Sequence, residues 1–243
     1  MENTKTKKKH KVYDYVRPYV YQSPALISII FLQIFPIIMT VYYAFTNYNL
    51  NHLYDYRLVG LDNFRQIING PFKSIFLPVL SWTIVFALIS TFGCFVVGLI
   101  ISLLLDNPNM KESFLYKGIL VLPWAIPGTI ATLTWQGLLN ETNGGINIIL
   151  QRLHLISNAI PWFTSPWWAR AGILIANIWI GFPYMMNICI GALSQIPDNF
   201  YEAADIEGAN WWQKFNKITL PSIANTSFPL LISSFAYNFN NFG

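Results

Sequence analysis

The acidic run Glu202-Ala-Ala-Asp-Ile-Glu-Gly208, followed ten residues on by Ile218-Thr-Leu-Pro221, holds most of the polar character of the second half of this chain. Its residue types suit recognition rather than bond-breaking. Glu202, Asp205 and Glu207 put negative charge near a helix start, which the helix dipole favours. Ala203 and Ala204 are small enough to let another surface approach closely. A docking knob and a solvated linker with ordinary helix caps both fit these residues. Elsewhere the sequence carries no phosphate-cradling glycine loop, no His/Cys metal spacing and no nucleophile motif. His10, His52 and His154 are scattered over the N-terminal tail and the loops. No covalent chemistry is therefore expected of the chain.

The elements that must hold this run in place are apolar. Of 243 residues, 54% are hydrophobic and only 11% charged, against about a quarter charged in a soluble domain. Five stretches, 18–54, 74–105, 118–140, 171–197 and 218–243, lack Asp, Glu, Lys and Arg altogether. A membrane helix needs roughly 20 mostly apolar residues, and one charge at its centre costs roughly 2.5–3.5 kcal/mol. The reading is an all-α integral membrane protein with five spans, at about 24–45, 77–105, 115–139, 169–193 and 221–239. Core helices of a soluble α protein would rarely give five uncharged runs of this length. Lys5, Lys7, Lys8, Lys9, Lys11 and Arg17 precede the first span. They fit a flexible basic tail, 1–23, held in the cytoplasm by the positive-inside rule and by anionic lipid; the net charge of +4 is no nucleic-acid signal. The first apolar run exceeds the roughly 7–15 residues of a cleavable signal region, so it reads as an uncleaved anchor. Cys94 and Cys189 fall inside spans, where small apolar packing is expected and no disulfide framework is implied.

Local signals refine the elements. Pro36 predicts a kink in the first span. Leu58-Val-Gly-Leu-Asp-Asn-Phe64 predicts a short interfacial helix capped by Asp62. Asp106-Asn-Pro-Asn109 is a turn cluster. Pro123-Trp-Ala-Ile-Pro127-Gly128 must break regular helix inside the third span, which hydrocarbon tolerates only where protein or water covers the freed backbone. Trp162, Trp167 and Trp168 suit an aromatic belt at the interface. In the knob, 197–220, Asp198 or Asn199 is expected to cap a first helix, with Asn199-x-x-Glu202 as a capping box. Gly208 ends that helix in the left-handed conformation. Asn210 caps a second short helix with Gln213 at its third position. Pro221 then opens the fifth span after a bend.

Polar side chains inside spans are costly and default to function. Asn177, Tyr184 and Asn187 lie in the fourth span; Ser233, Ser234, Tyr237, Asn238, Asn240 and Asn241 lie in or beside the fifth. Amides bond hydroxyls and flat rings cover the apolar faces of pyranoses, so the combination suits an oligosaccharide. The same groups also glue helices together, and both readings remain open on chemistry alone.

The run Glu-Ala-Ala-x3-Gly-x9-Ile-x-Leu-Pro, complete from Glu202 to Pro221, resembles the EAA motif of binding-protein-dependent ABC importer permeases. Val59-Gly-Leu-Asp-Asn-Phe64, Leu122-Pro-Trp-Ala-Ile-Pro127 and Trp135 are similar to stretches of the sugar permeases. Gly181-Phe-Pro-Tyr-Met-Met186, Ile196-Pro-Asp198 and Phe235-Ala-Tyr-Asn-Phe-Asn-Asn-Phe242 resemble the maltose-type branch. The resemblance implies the transmembrane domain of a type I ABC importer (24–243) in a bacterial cell membrane. It implies that Glu202, Ala203, Ala204, Asp205, Gly208, Ile218, Leu220 and Pro221 form the coupling loop that docks on an ATPase subunit. It further implies a sugar site at Asn177, Ile180, Gly181, Tyr184, Ser234, Tyr237, Asn238 and Asn241, with Tyr237 standing where the family relative has Phe. The implied partners are a second homologous permease subunit, two ATPase subunits, an extracytoplasmic sugar-binding protein and membrane lipid. ATP and Mg belong to the ATPase partner, with no cofactor bound by this chain. Maltose or maltooligosaccharides are the implied cargo, with another oligosaccharide or glycerol phosphate as alternatives. An ATP-independent carrier or channel and a membrane-embedded enzyme are rivals from other classes. The extra N-terminal helices and large outside domain of the enteric maltose subunit have no counterpart in the sequence, which thus resembles the minimal form; the family's final loop and sixth span are also missing, so it looks like a truncated product or fragment.

Overall fold

The structure, a computed structural model, describes residues 3–107 and 110–241, with side chains described from Tyr15 onward. Pro108 and Asn109 of the expected turn cluster, and Phe242 and Gly243, lie outside the described residues, as do the side chains of the five N-terminal lysines. The chain divides into two units, Met1–Val79 and Leu80–Gly243.

In the first unit, α1 (Asn3–Ile29) is followed by a π-turn over Ile30–Ile34 and by α2 (Phe35–Ala44). Helix already begins at Asn3, where a flexible tail was expected. Lysine is a good helix former, and no glycine or proline interrupts the chain before Pro18. The expected kink at Pro36 takes the form of the π-turn just ahead of it, with the Phe35 amide bonding the Ile30 carbonyl. A proline lacks the donor for its own turn, and one wider turn absorbs that loss without a sharp bend. After α2 the chain reverses through an isolated bridge between Thr46 and Leu58. The short amphipathic helix α3 (Asp62–Asn69) follows. Asp62 is not its cap: Leu61 occupies that position, and Asp62 is the first helical residue, paired with Arg65 at 3.5 Å. The motif residue that holds this turn is Asn63, whose amide donates to the Ala44 carbonyl at 2.9 Å and the Thr46 carbonyl at 2.7 Å. It satisfies acceptors left open at the end of α2.

Helix α4 (Lys73–Leu105) begins in the first unit and gives most of its length to the second. There it is joined by α5 (Ser113–Ala125), α6 (Gly128–Leu138), α7 (Gly145–Arg152) and α8 (Pro166–Leu193). The expected break in the third span is present: α5 and α6 meet at 93° across Ile126-Pro127. Between α7 and α8, the fully buried Asn147 ties the loop together. It donates to the carbonyls of Glu141 and Ile160, and it accepts from the Ile160 amide and the Trp162 indole. Trp162 is thus a core residue, 4% exposed, while Trp167 and Trp168 remain at the surface. Its indole N–H needs a buried acceptor, which Asn147 supplies.

Helices α4 and α8 approach through small residues. A side chain at Gly98 would meet the Met186 backbone nitrogen at 2.6 Å, and one at Gly181 would meet Cys94 Sγ at 2.6 Å. In hydrocarbon, where apolar burial gives no preference for protein over lipid, such close backbone packing supplies the attraction.

Three helices among the described residues are long and apolar enough to cross a membrane: Tyr15–Ala44, Lys73–Leu105 and Pro166–Leu193. The bent pair adds a fourth if it acts as one span. The fifth expected span forms as a helix, α11 (Leu220–Phe239), but it falls short in apolarity. Asn225, Thr226, Ser227, Ser233, Ser234 and Asn238 interrupt it. Ser227 and Asn238 are buried against protein, so α11 depends on its neighbours rather than on lipid to cover that face.

Candidate coupling and translocation sites

The knob folds around two turns with different chemistry. Helix α9 (Asp198–Ile206) starts after Pro197, and neither Asp198 nor Asn199 caps it with a side chain. Proline there fixes an extended entry, so the expected capping box at Asn199 does not form. The C-terminal end matches expectation. Gly208 has φ +75°, its amide bonds the Asp205 carbonyl at 3.0 Å, and the Ala209 amide bonds the Ala204 carbonyl at 2.9 Å. These two bonds are the Schellman arrangement, which needs a left-handed residue at the position after the cap. Asn210 then forms a full capping box with Gln213: its amide bonds Gln213 Oε1 at 2.8 Å, and its Oδ1 accepts from the Gln213 amide at 2.9 Å.

From there the helix does not stop. Helix α10 (Trp211–Lys214) runs through a π-turn (Phe215–Thr219) directly into α11 (Leu220–Phe239). The expected bend before Pro221 is replaced by that wider turn, with the Leu220 amide on the Phe215 carbonyl. The physical reason matches the one at Pro36. Two contacts lash α9 to this rod. Lys214 Nζ reaches Asp205 Oδ1 at 2.6 Å, and the Tyr201 hydroxyl meets Thr219 Oγ1 at 2.9 Å. The hydroxyl bond bridges the two arms of the knob next to the core. That core comprises Leu99, Cys189, Ala192, Leu193 and Ile223, with Ile196, Phe215 and Leu220 packed against it. Between the arms lies a hollow of about 400 Å³, lined by Ala203, Ala204, Gly208, Lys214 and Ile218 among others. Glu207 also lines it, and both Glu202 and Glu207 are exposed. Burial raises the pKa of Asp106, at the end of α4; Lys117 opposes that rise and Asp198 adds to it. The end of α4 and the starts of α5 and α9 therefore share one side of the second unit.

The second set of residues is only partly brought together. Asn177 Nδ2 donates to Ser90 Oγ at 2.9 Å and to Asn238 Oδ1 at 3.1 Å. Asn238 Nδ2 donates to Thr91 Oγ1 at 3.2 Å and to the Ser234 carbonyl at 3.0 Å. Asn238 is 6% exposed. These groups form a closed polar network that ties α4, α8 and α11. Gly181 faces Cys94 rather than open space, and Ile180 and Ser234 are half-buried. Tyr184, Tyr237 and Asn241 are exposed, Tyr237 to 72%. The Asn187 side-chain amide donates back to the Pro183 carbonyl, one turn earlier in its own helix, at 3.0 Å. Ser90, Thr91 and Lys214 were not anticipated. The first two carry the same signal that singled out Asn177, a polar side chain within an apolar span; Lys214 lies nine residues beyond Asp205, outside any helical pairing distance.

Known proteins share the fold. The chain is 39% identical over 241 residues to the maltodextrin transport system permease protein MalC of Streptococcus pneumoniae, which covers 95% of this chain and 55% of that protein. It is 36% identical over 229 residues to the galactooligosaccharides transport system permease protein GanP of Bacillus subtilis, covering 93% of this chain and 54% of that one. The chain thus spans about half the length of the curated relatives it matches. Its fold superposes with a TM-score of 0.73, at 20% identity, on a chain of a bacterial ABC transporter involved in the import of alginate, covering 94% of this chain and 77% of that one. The pattern of the binding-protein-dependent transport system inner membrane component matches residues 82–243, from the middle of α4 through the knob and the polar network to the end of the sequence, and the chain belongs to that family.

Proposed function

We propose that the chain serves as a permease subunit of an ATP-driven importer of oligosaccharides, of the maltodextrin type that MalC's name gives for that protein. The carrying observation is mechanical. The knob's second arm is continuous with α11 and packs on the core of the spans, and the first arm is bonded to the second. A push on α9 therefore moves α11 and, with it, Asn238. In this reading an ATPase subunit grips the hollow between the arms on the cytoplasmic side, where the N-terminus also lies. A second permease subunit completes the pathway, and a binding protein delivers sugar from outside. ATP and Mg act in the ATPase subunits. Alternating access is then a two-state equilibrium biased at both ends.

Asn177 and Asn238 bond each other in the closed network, and sugar hydroxyls replace that bond when the pathway opens. Tyr184, Tyr237 and Asn241 supply the exposed part of the sugar contact, with Ser234, Ile180 and Gly181 shaping its floor. The test is uptake by the assembled transporter. Tyr184→Ala and Asn241→Ala should lower uptake while ATPase copurification persists; normal uptake in both removes the sugar site. Failure of an ATPase subunit to copurify with the wild-type subunit would favour an ATP-independent carrier.

A further inference from the structure

Arg170 carries a charge that the second unit leaves unanswered. It lies in the second turn of α8 and is half-buried. Its guanidinium sits over the Trp82 ring of α4, 4.8 Å from the centroid, and over the Trp167 ring, 5.5 Å from the centroid. Among the described residues it has no hydrogen-bond or ion-pair partner. The sequence holds no Asp or Glu from Thr142 to Pro197. Glu141, at the start of the loop region that leads to α8, accepts from Phe163 and Thr164 instead.

Helix length gives the level of this cluster in a bilayer. Trp82 and Arg170 each stand twenty-three residues before the knob-side end of their helix, at Leu105 and Leu193. At 1.5 Å per residue that is about 34 Å. The hydrocarbon is about 30 Å thick, and the layer with its headgroups about 40–45 Å. The cluster therefore reaches headgroup level on the face opposite the knob. Two sequence features agree. Arg170 is the last charge before the uncharged run 171–197, where a span should leave the headgroups. Trp167, 77% exposed, sets an indole where tryptophans collect.

Stacking holds a guanidinium by its face. Its in-plane N–H donors stay free, in a fork that matches two phosphate oxygens. Water can serve those donors but cannot neutralise the charge. At this level the abundant anion is the phosphodiester of a phospholipid. A zwitterionic lipid carries its own cation beside that phosphate and gains less from Arg170 than an anionic lipid does. The start of α8 adds to the attraction, since Ser165 makes no side-chain cap and the positive end of the helix dipole lies close by. We propose that Arg170, stacked on Trp82 and Trp167, is a headgroup site for one anionic phospholipid at the α4–α8 seam. On the orientation given above, that lipid belongs to the outer leaflet.

The test reconstitutes the complete transporter in phosphatidylcholine vesicles that contain brominated phosphatidylglycerol or, separately, brominated phosphatidylcholine. Bromine quenches nearby indoles, and the Trp167 signal is the difference between each protein and the same protein carrying Trp167→Phe. In the wild type, phosphatidylglycerol should occupy the site about fivefold more readily than phosphatidylcholine, the usual gain from one basic side chain near an anionic surface. Arg170→Gln should bring that ratio near one. Arg170→Lys keeps the charge without the stacked fork and should fall between the two. A ratio near one in the wild type overturns the site. Equal preference in the wild type and Arg170→Gln leaves Arg170 as a clip between α4 and α8 and does the same. Absence of quenching by either lipid means that protein covers the cluster, which also overturns it. If Arg170→Gln does not assemble, Arg170→Lys decides, and a preference unchanged from the wild type rules out the fork. Inorganic phosphate that abolishes the preference, where chloride of equal ionic strength does not, would make this a site for soluble anions and refute the lipid assignment.

Discussion

Gly208 is the residue on which the knob's geometry turns. Nothing lies within 4 Å of a side chain built there, but its φ of +75° is one that other residues adopt only under strain. Gly208→Arg therefore harms less by crowding this chain than by strain at the turn and bulk at the mouth of the hollow. Uptake should fall by more than tenfold with the subunit still in the membrane; wild-type uptake in this variant would sink the coupling role. Glu141 makes a different residue-scale case. Its carboxylate accepts from the Phe163 and Thr164 amides at 2.9 Å and from the Thr164 hydroxyl at 3.0 Å. The amide bonds hold its pKa below the usual 4.5. An acid with a lowered folded pKa contributes stability that is present above 4.5 and is lost as pH falls through the folded value. Protection of the Phe163 and Thr164 amides from hydrogen exchange, corrected for intrinsic rates, should hold at pH 6 and fade only below 4.5, as the pH falls through the carboxyl's lowered pKa. Glu141→Gln should show weaker protection at pH 6 and little further change on acidification.

At the scale of elements, the contact between α4 and α8 makes an ordered prediction. An added methyl at Gly98 meets backbone, 2.6 Å from the Met186 nitrogen and 2.9 Å from the Met185 carbonyl carbon, whereas one at Gly181 meets the movable Cys94 thiol. Overpacking typically costs about 1–3 kcal/mol. Gly98→Ala should reach that range, and Gly181→Ala should cost clearly less, because the Cys94 side chain can turn aside. Thermal unfolding in detergent of both variants checks the order, and equal losses would contradict it. These elements also show what the sequence makes legible. The Gly208 turn, the Asn210–Gln213 box and the break between Pro123 and Gly128 follow from local chemistry, so their residues announce them. The two π-turns do not: Pro36 and Pro221 signal a distortion, but whether the helix bends or widens depends on what packs beside it. Near Pro221 that neighbour is the core taking up Phe215 and Leu220, together with the Tyr201–Thr219 bond, and none of these pairs is marked in the sequence. The network at Asn177 was legible as polar groups in a span. Ser90 and Thr91 carry the same mark, but their pairing with Asn177 and Asn238 was not legible, since only the fold sets α4 beside α8 and α11.

Across the second unit as a whole, the rod from Trp211 to Phe239 joins the knob to the polar network. Its lower end is packed to the core by Phe215 and Leu220 and its upper end is bonded through Asn238 to Asn177 and Thr91. On the function proposed above, coupling between the two sites is reciprocal in binding free energy: if engagement of an ATPase subunit shifts the affinity for sugar, bound sugar shifts that engagement by the same factor. Both directions should fail together if the rod loses its root. Leu220 is half-buried, so Leu220→Ala should cost less than the roughly 2–5 kcal/mol of a fully buried leucine, leaving assembly intact. Sugar uptake should nonetheless fall several-fold, and stimulation of ATP hydrolysis by the loaded binding protein should fall with it, with ATPase copurification unchanged. A control at Leu230, ten residues further along the same helix and also half-buried, removes similar bulk away from the root and should leave the two rates nearer wild type. Loss of uptake with full retention of stimulated hydrolysis in Leu220→Ala would mean that the signal reaches the ATPase by a route other than this helix.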